Sequence, residues 1–155
     1  MKKIFVGLLA VSVLGFAFTY SPKNEVKTVK TETLENVDGI NFFHGTWNEA
    51  KAKAKKENKL IFLDAYTDWC GWCKRLDATT LKNKEVGEFF NKNFINVHME
   101  MEKSKDGPRL SRALRIKGYP ALFFMNSNEE SKHMISGYVK ADRILEEAKV
   151  ALSKK

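Results

Sequence analysis

Cysteine is nearly absent from this chain: among its 155 residues only Cys70 and Cys73 are cysteines. A framework of long disulfide-closed loops is therefore excluded, because the one bridge available would close almost no chain. Histidine is almost as scarce. His44, His98 and His133 are scattered, and none has the paired spacing of a metal site. Each reads as a surface or core-edge residue. The sequence also lacks an arginine-rich arm, a basic strip interleaved with aromatics and a zinc-finger spacing, so no nucleic-acid partner is expected. It contains no internal repeat.

What is present suits one folded domain. Aliphatic and aromatic residues make up 43% of the chain, with 11 Phe and 3 Trp, a composition that can fill a core. Met1-Lys2-Lys3 is a short basic start, and Ile4 to Phe18 is an uncharged, mostly apolar run. The run is short for a membrane span and fits an export signal, so residues 1–20 are expected to be a signal peptide or an uncleaved anchor. No cysteine ends the run, which argues against a lipid anchor. Residues 21–38 are polar and rich in Lys, Thr and Glu, and read as a linker. The folded domain is then 39–155, placed outside the cytoplasm, in the periplasm or cell envelope. Much of the net charge of +8 falls on Lys51, Lys53, Lys55, Lys56 and Lys59, which read as the solvated face of a helix.

Hydrophobic periodicity orders the elements. Gly39 to Phe43 reads as a short first strand. Thr46-x-x-Glu49 has the form of a capping box and opens a helix whose apolar face carries Trp47, Ala50 and Ala54. Leu60 to Leu63 reads as a buried central strand, interrupted by Asp64. Helices are expected over Lys74 to about Thr80 and Glu85 to Asn93, then a strand over Phe94 to Met101. A short basic helix follows from Pro108 to Arg115. Ala121 to Met125 and Lys132 to Ile135 read as a hairpin turning at Asn126–Glu130, and Ala141 to Leu152 as a closing amphipathic helix. Alternation followed by a hairpin predicts an α/β fold with a mixed sheet of four to five strands and helices on both faces.

The pair Cys70-Gly71-Trp72-Cys73 has three readings: a staple, half of a metal site, or a redox couple. As a staple it would close too short a loop, and as a metal site it lacks two ligands. The redox reading has positive support. An exported protein meets an oxidising compartment, and the pair follows a strand and stands at a helix start. Backbone N–H groups and partial positive charge at a helix N-terminus favour a thiolate, lowering a cysteine pKa from about 8.5 to roughly 3.5–7.5.

With these residues assembled, the chain resembles the thioredoxin superfamily over roughly residues 40–153. Trp69-Cys70-Gly71-Trp72-Cys73-Lys74 is similar to its active-site motif, Asp64 to its buried acid, and Gly118-Tyr119-Pro120 before Ala121 to its cis-proline loop. Within the superfamily it is most similar to exported proteins related to the C-terminal domain of the membrane thiol reductase DsbD. The resemblance implies the thioredoxin fold and assigns the roles. Cys70 is the exposed nucleophile, Cys73 the resolving thiol, and Asp64 the proton acceptor for Cys73, unless it is a salt-bridge residue. Tyr119 and Pro120, across a cis peptide bond, offer backbone to an extended substrate. Trp69 shields the site, and Trp72 either does the same or simply packs. Glu100 and Glu102 are read as solvated.

The function implied is exchange of disulfides with protein substrates. No cofactor is needed beyond the Cys70–Cys73 disulfide, and a monomer is expected. Trp72 stands where oxidants and isomerases of the superfamily often carry histidine, so a reductase supplied by a membrane electron donor of the DsbD type is favoured over an oxidase or isomerase. From another class, a peptide-binding module that performs no turnover is the alternative.

Overall fold

A computed structural model describes residues 38–155. The expected signal or anchor, and all but the last residue of the expected linker, lie outside the described residues. Helix α1 (Trp47–Glu57) starts where the capping box predicts. Thr46 Oγ1 accepts the Glu49 N–H at 3.3 Å, and the Glu49 carboxylate accepts the Thr46 N–H at 2.7 Å. Asn58, with a positive φ, ends the helix. Strand β1 (Leu60–Tyr66) follows, then α2 (Gly71–Ala78), α3 (Lys84–Asn93), β2 (Phe94–Glu100) and α4 (Gly107–Ala113). Strands β3 (Ala121–Met125) and β4 (Ser131–Ser136) and helix α5 (Ala141–Ser153) complete the order. Helix α2 begins three residues before the predicted start, because Cys70 caps it.

The sheet has four strands in the order β2-β1-β3-β4. Strands β1 and β2 are parallel, joined through α2 and α3, while β1–β3 and β3–β4 are antiparallel. The mixed sheet and the helices on both faces are as expected. One strand is not. Gly39 to Phe43 packs against the core, with Ile40 buried in it, without joining the sheet. Its backbone is held by isolated bonds instead of a ladder: Ile40 N–H to Leu81 O, Asn41 N–H to Asn91 Oδ1, and Phe43 N–H to Asn96 O. Gly39 also has φ +100°, outside the extended range a strand requires.

Strand alternation divides the core into two layers. Leu60, Phe62, Leu122 and Phe124 pack against Leu76 of α2, Val86 and Phe90 of α3 and Ile144 and Ala148 of α5. Ile61, Leu63, Ala65, Phe123 and Met125 pack with Trp47, Ala50 and Ala54 of α1 and Leu110 of α4. Phe62, Phe90 and Phe124 are fully buried, each worth about 1.5–3 kcal/mol of transfer free energy. The period of two decides one further point. Asp64 shares parity with Leu60 and Phe62, so its carboxyl faces α2, the helix that begins at the cysteines.

Candidate active site

Cys70 and Cys73 form a disulfide at the N-terminus of α2, with Cα atoms 5.3 Å apart. Cys70 is the helix cap, and its Sγ accepts the Cys73 N–H at 3.1 Å. The turn before it is held by the Cys70 N–H donating to Thr67 O at 3.0 Å. The expectation of an exposed Cys70 does not hold in this disulfide form: Cys70 is 4% exposed and Cys73 2%. Both sulfurs are committed to the first turn of the helix, and one of them accepts a backbone N–H there.

Two aromatic pairs stand near the disulfide. Trp69 meets Tyr119 edge-on, with ring centroids 6.1 Å apart, and donates its indole N–H to Glu102 at 3.1 Å. Tyr119 in turn lies 3.2 Å from the Ser111 hydroxyl, oxygen to oxygen. Trp72 lies 5.7 Å from Tyr138, and the Arg75 guanidinium sits 5.4 Å from the centre of each ring. Trp72 therefore packs against Tyr138 and Arg75, yet it remains largely exposed, as does Trp69. The Tyr119–Pro120 peptide bond is cis, and Pro120 is buried. Pro120 leads directly into β3, whose first residue Ala121 pairs with Ala65 near the end of β1, so it lies at the sheet end from which the cysteines emerge.

Glu102 and Glu100, read as solvated, have local partners. Glu102 fixes Trp69, and Glu100 accepts the backbone N–H groups of Glu102 and Lys103. Lys103 pairs with Asp68 at 2.6 Å. The charged segment after β2 thus grips the turn that precedes Cys70.

Below the helix lies a cluster that sequence periodicity only partly reveals. Asp64 is 1% exposed, and neither of its carboxylate oxygens has a hydrogen-bond partner among the described residues. Desolvation, with the Asp77 charge adding to it, pushes its pKa well above the ordinary carboxylate value. Asp77 is also raised, by burial. His98 Nδ1 faces both acids, 3.6 Å from Asp64 Oδ2 and 3.9 Å from Asp77 Oδ1. Burial lowers the His98 pKa to about 4, so the ring is neutral near pH 7. The three groups meet for simple reasons. Asp64 and His98 are paired residues of the parallel strands β1 and β2. Asp77 lies four residues after Cys73 on α2, on the same helix face. That spacing is the signal that finds Asp77; for His98 the strand register is needed. Of the two expected placements, surface or core edge, His98 takes the core edge, whereas His44 is exposed. These three side chains are also close enough to hold a metal ion, but burial raises the proton affinity of both acids, which opposes ligation.

A buried Cys-x-x-Cys couple at a helix N-terminus, on a helix facing a buried carboxyl of raised proton affinity, has the chemistry that thiol–disulfide exchange needs. A family model described as thioredoxin-like matches residues 43–127. The chain belongs to that family. Thiol:disulfide interchange protein DsbD of Vibrio cholerae is 29% identical over 136 residues, covering 83% of this chain and 22% of that protein. The chain thus spans about a fifth of that relative's length. Among solved structures, that of a candidate disulphide-isomerase from Bacteroides thetaiotaomicron superposes with a TM-score of 0.67 and 36% identity, covering 77% of this chain and 98% of that one. The oxidised C-terminal domain of DsbD from Neisseria meningitidis gives a TM-score of 0.57 at 25% identity, over 70% of this chain and 97% of that domain. The fold is the thioredoxin fold.

Proposed function

We propose that this protein is an exported thiol–disulfide oxidoreductase that reduces disulfides of protein substrates. The observation that carries the reading is the Cys70–Cys73 disulfide at the N-terminus of α2, the helix that carries Asp77 and that the buried carboxyl of Asp64 faces. In the forward direction Cys70 attacks a substrate disulfide as thiolate, forming a mixed disulfide and releasing one substrate thiolate. Cys73 gives its proton to Asp64 and attacks Cys70 Sγ, releasing the second substrate thiolate. Two electrons pass to the substrate, the enzyme ends as the disulfide, and the substrate thiolates take protons from solvent. Tyr119 and Pro120 receive the extended chain around the substrate cysteine by backbone pairing, and Trp69 and Trp72 supply flat apolar contacts at the two sides.

The direction rests on charge. A neighbouring carboxylate disfavours a thiolate, and a couple whose thiolate is not stabilised holds its disulfide more firmly. Asp64 and Asp77 therefore favour a reducing couple, and no cofactor is needed. Continued turnover requires electrons from a membrane donor of the DsbD type. The protein works as a monomer in the periplasm or cell envelope, delivered by residues 1–20. The likeness to the candidate disulphide-isomerase supports isomerisation as a second reading.

The test is reduction of insulin by the purified protein with a chemical thiol as electron source. The expected result is precipitation of the insulin B chain by the wild type and none by Cys70→Ser. A wild type without effect would instead mark a peptide-binding module. Faster recovery of a scrambled disulfide protein than of insulin turnover would favour the isomerase.

A further inference from the structure

Asp64 accepts a proton in the reading above, and this inference rests on that role, but Asp64 itself lines neither of the two pockets nearby. His98 lines both. One pocket of about 300 Å³ is bordered by Asp38, Phe42, Asp77, Leu81, Lys82 and His98. The other, about 450 Å³, includes His98, Tyr66 and Glu100 on its wall. The imidazole is wedged edge-on between Phe42, with ring centroids 5.0 Å apart, and Tyr66, at 3.9 Å. Its Nδ1 is the atom turned to the two carboxyls.

We propose that His98 is a positioning residue for proton transfer, carrying the Cys73 proton from Asp64 to the water of these pockets. The transfer moves no electrons. The Cys73 S–H breaks as an Asp64 O–H forms; the Asp64 O–H then breaks as His98 Nδ1 takes the proton, and His98 passes it to pocket water or to Asp77. The groups facing the ring set its balance. Asp64 and Tyr66 approach from β1, Asp77 from α2 and Glu100 from its own strand, with Asp38 and Lys82 also lining the smaller pocket. At neutral pH the ring is uncharged, so it can accept a proton and release it without remaining as a fixed counter-ion to Asp64.

The experiment mixes the reduced full chain with oxidised glutathione and follows tryptophan fluorescence. The concentration-dependent phase reports Cys70 attack; the concentration-independent phase reports resolution by Cys73. In His98→Ala the resolving phase should slow by about tenfold or more near pH 7, with the first phase unchanged. Added imidazole, entering the space vacated, should restore it in proportion to its concentration. Unchanged resolution, or slowing that imidazole does not relieve, would overturn the proposal. If His98→Ala does not fold, His98→Phe retains the ring packing. Its slowing should lessen as pH rises, because hydroxide then takes the Cys73 proton in place of the relay; equal slowing at every pH would overturn the relay. Asp64→Asn, run in parallel, separates the two claims. Normal resolution in that variant would remove the acceptor role and the relay with it, whereas slow Asp64→Asn beside normal His98→Ala removes the relay alone.

Discussion

Asp64 is a carboxyl that the fold does not stabilise. It is buried, its oxygens have no hydrogen-bond partners among the described residues, and the nearest charged group able to interact is another acid. A group whose folded pKa lies above its unfolded value binds a proton in the folded state that the unfolded state has lost. Stability therefore falls as pH rises from the unfolded value near 4 toward the folded one. Asp64→Asn should raise the melting temperature near pH 7 by on the order of 2–5 °C, with a gain that shrinks toward pH 4. The same substitution should slow insulin reduction. A stabilising change that costs activity is the signature of a functional charge. A fall in melting temperature, measured by calorimetry across pH, would mean that Asp64 is structural. The cysteines separate by role. Cys73→Ser should retain Cys70 attack and accumulate a mixed disulfide with insulin, visible on a non-reducing gel, whereas Cys70→Ser should trap none.

At the scale of elements, the β3–β4 hairpin is tied to two helices through one residue. Glu129 accepts from the Trp47 indole at 2.8 Å, from Lys51 at 2.9 Å and from Arg109 at 2.7 and 3.0 Å, joining the hairpin to α1 and α4. The Arg109 bond is the leading cause that lowers the Glu129 pKa from 4.5 to about 2. Its contribution to stability is complete above about pH 4.5 and is lost as pH falls through 2. Allowing for solvent screening, Glu129→Gln should cost about 1–2 kcal/mol near neutrality and almost nothing at pH 2, as read from urea unfolding at each pH. Gly87 of α3 is a second joint. A Cβ there would lie 2.1 Å from Gly39 O, so Gly87→Ala should displace the 39–43 segment and lower the melting temperature.

This joint also explains what the sequence makes legible. The helices and strands with a clear apolar period are legible to within a few residues, as are the capping box, the cysteine couple and a charge inside an apolar strand. The 39–43 segment is not. Ile40, Phe42 and Phe43 have the composition of a strand, but the segment bonds through Ile40 to Leu81, through Asn41 to the side chain of Asn91 and through Phe43 to Asn96, choices fixed by packing rather than by local pattern. His98 is similarly hidden. Its meaning depends on which residue of β2 pairs with Asp64, and register is a property of two strands together.

For the whole molecule, the proposed function requires this chain to donate electrons rather than accept them. The helix N-terminus alone would stabilise the Cys70 thiolate and make the disulfide oxidising. The carboxyls of Asp64, facing that helix, and of Asp77, on it, act the other way, and the outcome is their balance. That balance is one number, the reduction potential of the Cys70–Cys73 couple, obtained by equilibrating the full chain with defined ratios of reduced and oxidised dithiothreitol or glutathione. A reductase should have a value near the roughly −270 mV of thioredoxin. A value near the roughly −120 mV of DsbA would contradict it and make the protein a disulfide donor.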